Sequence, residues 1–194
     1  MPYLNSHFPF GLFAASALAY VLLVGPAPAE VPEPQGFFMG PLHDEVPATL
    51  SGARVIDAQG LASLLEQGNV VLIDAASLPH KPENLPPEAV WKPVPHQNIP
   101  GSIWIPGIGE GNIDETIDSY FHDRLSALTD HALDRVIVFY CHPHCRASWN
   151  AAKRALGYGY RDVVWYPGGA EGWQDAGHAL VVAQPESPPQ QAGR

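Results

Sequence analysis

The chain alternates short apolar runs with stretches whose apolar residues recur at helical spacing, and the alternation holds from residue 53 to about residue 180. Continuous apolar runs of strand length stand at Val70-Val71-Leu72-Ile73-Asp74 and Val136-Ile137-Val138-Phe139-Tyr140. Runs of this kind suit strands buried on both faces of a sheet. Shorter runs predict strands at Arg54-Val55-Ile56, Ile103-Trp104-Ile105 and Asp162-Val163-Val164-Trp165-Tyr166. Between them, Leu61, Leu64 and Leu65 mark a helix with Asp57 as its N-cap and Gly68 as its stop. A second helix is predicted from Asp114 through Ile117, Tyr120, Phe121, Leu125 and Leu128. A third runs from about 147 to 157, where Ala151, Ala152 and Ala155 permit close packing on a sheet, and a short fourth runs from Ala170 to Asp175. Strands and helices in this order imply an α/β fold with a parallel sheet, its chemistry carried by loops at the carboxyl ends of the strands.

Three stretches fall outside this rhythm. Residues 30–52 are rich in Pro and Gly and predict an extended arm that packs through Phe37, Phe38 and Met39, with no legible role. Residues 77–100 carry Pro79, Pro82, Pro86, Pro87, Pro93, Pro95 and Pro100. That density excludes helix interiors and central strands, leaving a long, stiffened loop that is either functional or a surface insertion. Trp91 within it either covers a site or anchors the loop. Residues 184–194 are Pro- and Gln-rich and predict a disordered tail. The domain proper is therefore residues 53–183.

The first 29 residues hold no Asp, Glu, Lys or Arg, and Phe8 to Val24 is apolar. Ala27-Pro28-Ala29 places small residues where a signal peptidase reads, which predicts a signal peptide over residues 1–29 and a periplasmic or secreted mature chain. The run from Gly11 to Val24 is shorter than the ~20 residues that span a bilayer, so membrane attachment is expected only if the signal stays uncleaved. The formal net charge is −10. With no cluster of Lys and Arg to neutralise a phosphate backbone, nucleic acid is excluded as a partner, whereas a positively charged protein is compatible.

Both cysteines lie in Cys141-His142-Pro143-His144-Cys145-Arg146, between an apolar strand and a helix. Such a junction gathers unpaired N–H groups and the positive end of a helix dipole, which stabilise a thiolate and a bound anion. Here that predicts a lowered pKa for Cys141, assisted by Arg146. A Cys141–Cys145 bridge would close too small a loop to stabilise the fold much, leaving catalytic or redox thiol chemistry as the leading reading. Cys141, His142, His144 and Cys145 are also soft and borderline ligands for copper or zinc, although Pro143 limits how four such near neighbours wrap one ion. The acidic segment from Glu110 to Asp118 lacks EF-hand spacing and reads as a solvated loop and helix start.

In order along the chain, four motifs resemble a rhodanese-like domain from about Ala53 to Leu180. They are Val71-Leu72-Ile73-Asp74, Ile99-Pro100-Gly101-Ser102-Ile103-Trp104-Ile105-Pro106, the cysteine loop with Arg146 five residues after Cys141, and Tyr166-Pro167-Gly168-Gly169 followed by Trp173 and Gly177. The resemblance implies a five-stranded parallel sheet flanked by helices and sulfane-sulfur transfer through a persulfide on Cys141. It makes residues 142–146 the cradle, with His142, His144, Ala147 and Ser148 toward the substrate, Arg146 and Cys145 beside the nucleophile, and Asp74 ordering the site. It calls for no cofactor beyond that persulfide. The implied partners are a small sulfur-containing anion or a thiol acceptor.

The departures are local. His144 stands where Gly is common, Ala76 where an Arg often follows the strand acid, and Asn98 where a His usually opens the Ile-Pro-Gly motif, with His96 two residues away. The second cysteine, together with Ser148-Trp149-Asn150-Ala151-Ala152-Lys153-Arg154-Ala155, is similar to an exported rhodanese-like subgroup. That subgroup carries a Cys-x-x-Cys-Trp motif and is associated with pyrroloquinoline quinone-dependent alcohol oxidation, which implies a periplasmic quinoprotein dehydrogenase system as a partner. Dithiol redox or copper or zinc binding without sulfurtransferase turnover stays open as the alternative.

Overall fold

The computed structural model describes residues 31–187, so the signal-peptide expectation for residues 1–29 lies outside the described residues. Five strands form a parallel sheet: β1 (Arg54–Val55), β2 (Val70–Asp74), β4 (Ile103–Trp104), β5 (Val136–Tyr140) and β6 (Val163–Trp165), in the order β1-β6-β5-β2-β4. The two continuous apolar runs are the central pair, aligned from Val70 opposite Val136 to Asp74 opposite Tyr140. Four helices cover the faces: α1 (Ala58–Gln67), α2 (Glu115–Leu128), α3 (Arg146–Gly157) and α4 (Gly169–Asp175). The expected α/β class and five-stranded parallel sheet are what the chain forms. Among the described residues no helix is long and apolar enough to cross a membrane.

The period-two geometry of β5 explains why its sequence is apolar at every position. Ile137 and Phe139 pack with Phe121 and Leu125 of α2 and Ala151, Ala152 and Ala155 of α3 on one face. Val138 and Tyr140 pack with Leu61 of α1 and Ala170 and Trp173 of α4 on the other. Each large apolar side chain enclosed this way contributes about 1.5–3 kcal/mol. Asp57 and Asp114 cap α1 and α2 by accepting from Gly60 N at 2.8 Å and Ile117 N at 3.0 Å.

Three features differ from the sequence expectation. The proline-rich loop ends in β3 (Gln97–Asn98), which pairs antiparallel with β7 (Val181–Val182) in a two-residue ribbon too short for any periodicity to announce. The expected disordered tail is held at its start. Pro185 bridges to Trp104, and Glu186 accepts from Arg124 at Nε and Nη2 and from the Tyr120 hydroxyl at 2.8 Å; residues 188–194 lie outside the described residues. The third difference is within the arm, residues 31–52, which packs through Phe37 and Phe38 as expected but leaves Met39 exposed, and is strapped across α3. Asn150, fully buried, accepts from Phe38 N and donates to Phe38 O and Gly109 O, while Phe37 stacks under Arg154 and Trp149 Nε1 donates to Thr49 O. Lys153 Nζ donates to the carbonyls of Pro34, Gln35 and Gly36.

Candidate functional site

The cysteine loop leaves the carboxyl end of the central strand β5 and enters α3, as the sequence suggested. Its two cysteines are not equivalent. Both are buried, at 1% and 2% exposure, but Cys141 directly follows the strand, with its sulfur 3.2 Å from Ser148 Oγ and 3.5 Å from the Cys145 carbonyl. Trp165 Nε1 donates to the same Ser148 oxygen at 3.1 Å. Cys145 is the N-cap residue of α3, and the amides of the first turn are divided: Arg146 N donates to Leu42 O, the Ala147 amide acts on Cys145 and the Ser148 amide on Cys141. Cys145 also lines a cleft of about 620 Å³, whose wall does not include Cys141.

The pKa ordering follows, and it reverses the expectation of a low-pKa Cys141. Burial pushes the Cys141 thiol well up, and the neighbouring Cys145 raises it further. The Cys145 thiol is lowered to about 7, chiefly by the hydrogen bond from the Cys141 side chain, with help from the amides of Ala147 and His142 and against the cost of burial. Both cysteines are free. The two thiols are thus shifted in opposite directions, and Cys145 ionises first. Iodoacetamide is therefore expected to modify Cys145 before Cys141, with a rate that rises with pH through about 7 as the thiolate forms. A midpoint above pH 8.5 in the measured rate profile would contradict this ordering.

Arg146 does not assist Cys141. Its Nη2 donates to Glu110 Oε2 at 3.0 Å, and its backbone N–H donates to Leu42 O of the arm. Glu110 in turn accepts from Ser77 Oγ at 3.3 Å, so the residue read as part of a solvated loop is a site carboxylate. Ala147 and Ser148, expected to face substrate, are buried behind the loop and absent from the cleft wall. His142 lines the cleft and pairs through Nδ1 with Glu171 Oε1 at 2.8 Å. His144 is exposed, with φ of +53°. The loop keeps the left-handed turn for which Gly is favoured, and His144 adopts it at modest steric cost. Among the described residues no three His, Cys, Asp or Glu side chains are placed to hold a metal ion, so His142 and His144 do not join the cysteines around one point.

Asp74 ends β2 fully buried, accepts from Ala76 N at 2.9 Å, and pairs with His96 Nε2 at 2.6 Å. His96 lies against Trp104, with ring centroids 4.0 Å apart, and lines the cleft beside His142. Asp74 therefore orders a histidine displaced by two residues from the usual motif position. Sequence reading noted that displacement without placing the ring in the site. The arm completes the cleft. His43 forms an antiparallel bridge with Cys145, Asp44 N donates to His144 O at 3.0 Å, and Leu42 and His43 stand in the wall. On the far side, Ala170 N donates to Cys141 O at 3.0 Å. A Cβ on Gly169 would lie 2.7 Å from His142 backbone atoms, so the Gly168-Gly169 turn must be bare to press against the loop.

A parallel α/β sheet whose central strand opens into a cysteine loop at a helix N-terminus defines the class: an α/β domain with its reactive thiols at the carboxyl edge of the sheet. A family model described as a Rhodanese-like domain matches residues 57–176, and the chain belongs to that family. Among solved structures, it is similar to SseA of Escherichia coli, titled for the rhodanese fold and catalytic mechanism of 3-mercaptopyruvate sulfotransferases. That match has 19% identity and a TM-score of 0.50, covering 70% of this chain and 53% of that one. A thiosulfate sulfurtransferase from Pseudomonas aeruginosa matches at 19% identity and TM-score 0.46, over 69% of this chain and 21% of that one. A protein from Rhodopseudomonas palustris titled as a possible tyrosine phosphatase matches at 23% identity and TM-score 0.44, over 68% and 86%. The chain thus spans only a part of the two sulfurtransferases. No curated protein matches it.

Proposed function

We propose that this chain transfers sulfane sulfur, with the Cys145 thiolate as the entering nucleophile and Cys141 as the buried group that holds it ionised. The observation that carries the reading is the placement of Cys145, and not Cys141, in the wall of the cleft, where the neighbouring Cys141 thiol lowers the Cys145 pKa to about 7. Membership of the rhodanese-like family supports sulfur as the element transferred. The Cys145 thiolate attacks the outer sulfur of a persulfide R–S–SH; the new bond is Cys145 S–S, and R–S⁻ departs. An acceptor thiolate then attacks that outer sulfur and Cys145 leaves as a thiolate, so the cycle needs no external oxidant or reductant. His96, oriented by Asp74, is placed at the cleft wall to protonate the departing thiolate.

The contact between two free cysteines favours a second reading as well. Attack of Cys141 on a Cys145 persulfide would expel hydrosulfide and leave a Cys141–Cys145 disulfide, which a dithiol reductant would have to reopen. The apolar amino-terminal segment and the resemblance to the subgroup linked with pyrroloquinoline quinone-dependent alcohol oxidation support an exported protein working beside a periplasmic quinoprotein dehydrogenase. Turnover with cysteine persulfide as donor and an excess of monothiol acceptor separates the two chemistries. Sustained turnover supports transfer, whereas a single turnover that halts with a closed disulfide supports the redox reading.

A further inference from the structure

We propose that the cleft admits an uncharged or cationic organic persulfide or disulfide and rejects small sulfur oxyanions such as thiosulfate, with Glu110 as the residue that sets this preference. The inference rests on the sulfur-transfer reading and names its donor class.

An oxyanion is recognised by paired cationic donors, and no Lys or Arg of the described residues presents them in the cleft wall. The cleft wall includes Glu110 and Glu171, but no Lys or Arg among the described residues. Arg146, which follows Cys145 in sequence, is committed to Glu110 through Nη2 at 3.0 Å. Its Nε and Nη1 are buried without a partner, so Glu110 cancels the guanidinium's charge without using all of its donors. Of the four histidines in the wall, His43, His80, His96 and His142, the last two are matched to carboxylates, His142 to Glu171 and His96 to Asp74. Even when protonated, those pairs add no net positive charge. The rest of the wall is an apolar collar that includes Leu42, Leu78, Val94 and Leu180. A space of about 620 Å³ bounded this way matches an organic group better than an ion of a few heavy atoms.

The test uses the Cys141→Ser protein, in which Cys145 is the sole cysteine, at pH 8, above the ordinary imidazole range. Two methanethiosulfonate reagents of similar size are compared, one ending in trimethylammonium and the other in sulfonate. In both cases the thiolate forms a mixed disulfide and expels methanesulfinate. The rate ratio, divided by the same ratio for free cysteine, therefore removes the reagents' intrinsic reactivity, and its change in the Glu110 variants separates the cleft from the field of the net charge of −10. At low ionic strength the trimethylammonium reagent is expected to be favoured about tenfold, and added salt to shrink the ratio. Glu110→Gln, which leaves Arg146 uncompensated, is expected to move the ratio at least about fivefold toward the sulfonate; Glu110→Asp is expected to retain most of the preference. Glu171→Gln serves as a second variant that leaves the Arg146 pair intact, and it should weaken the preference without reversing it. Equal or faster reaction with the sulfonate in the Cys141→Ser protein overturns the proposal. So does an unchanged ratio in Glu110→Gln. Because the readout needs no turnover, a cation-selective cleft in a protein that fails to transfer sulfur would defeat the functional reading and leave this one standing.

Discussion

Cys145→Ser is expected to lose sulfur transfer by roughly 10³-fold or more, the scale of removing a nucleophile. Cys141→Ser should keep a substantial part of the activity. The asymmetry comes from the environment of each sulfur. Cys145 lines the cleft as the cap of α3 and carries the lowered pKa; Cys141 lies behind it with its pKa driven up by burial. Serine at 141 retains an O–H that can donate to the Cys145 sulfur, whereas alanine retains none. Cys141→Ala is therefore expected to raise the apparent Cys145 pKa from about 7 toward the ordinary thiol value of about 8.5 and to slow transfer at neutral pH. Initial rates of acceptor-persulfide formation for the three variants across pH 6 to 9 check both parts, with the range chosen to bracket a thiol pKa between about 7 and 8.5. Loss of activity in Cys141→Ser equal to that in Cys145→Ser would assign the first step to Cys141.

Asn150→Ala is expected to cost about 3 kcal/mol or more in folding stability and to loosen the arm over the thiols. Asn150 is fully buried and makes three hydrogen bonds, with Phe38 N at 2.8 Å, Phe38 O at 3.0 Å and Gly109 O at 3.0 Å. Truncation strips partners from three backbone groups that lie under the arm or against α3. Gly109 is packed so tightly there that a Cβ would fall 2.3 Å from Ala147 O, which leaves no room for the backbone to shift and recover them. The same arm carries Leu42 and His43 to the cysteine loop, so a freed arm exposes Cys145. Denaturant unfolding gives the stability change, and the rate of iodoacetamide labelling of Cys145 under native conditions gives the exposure. A loss below about 1 kcal/mol with unchanged labelling would show that the arm is held by its other contacts.

The elements that lie in local pattern were legible in the sequence. The apolar runs of β2 and β5, the Asp57 and Asp114 caps and the alanine face of α3 each encode their structure within a few residues. The Gly168-Gly169 turn was equally plain, because only bare backbone can press against the cysteine loop there. What escaped the reading depends on pairs distant in the chain. His43 meets Cys145, Arg146 meets Glu110, and Gln97 meets Val182, and no periodicity links such partners. The inversion of the two cysteines turned on a single residue of helix boundary. A helix beginning at Arg146 makes Cys145 its cap, so the amides credited to Cys141 alone are divided between the two sulfurs, Ala147 serving Cys145 and Ser148 serving Cys141.

The central claim is that transferred sulfur lands on Cys145. Its most direct test is brief incubation of the reduced, full-length protein with cysteine persulfide, followed by thiol blocking, proteolysis and tandem mass spectrometry of the 141–146 segment. One added sulfur atom is expected on Cys145, with Cys141 recovered as a blocked thiol. An added sulfur confined to Cys141 would contradict the claim.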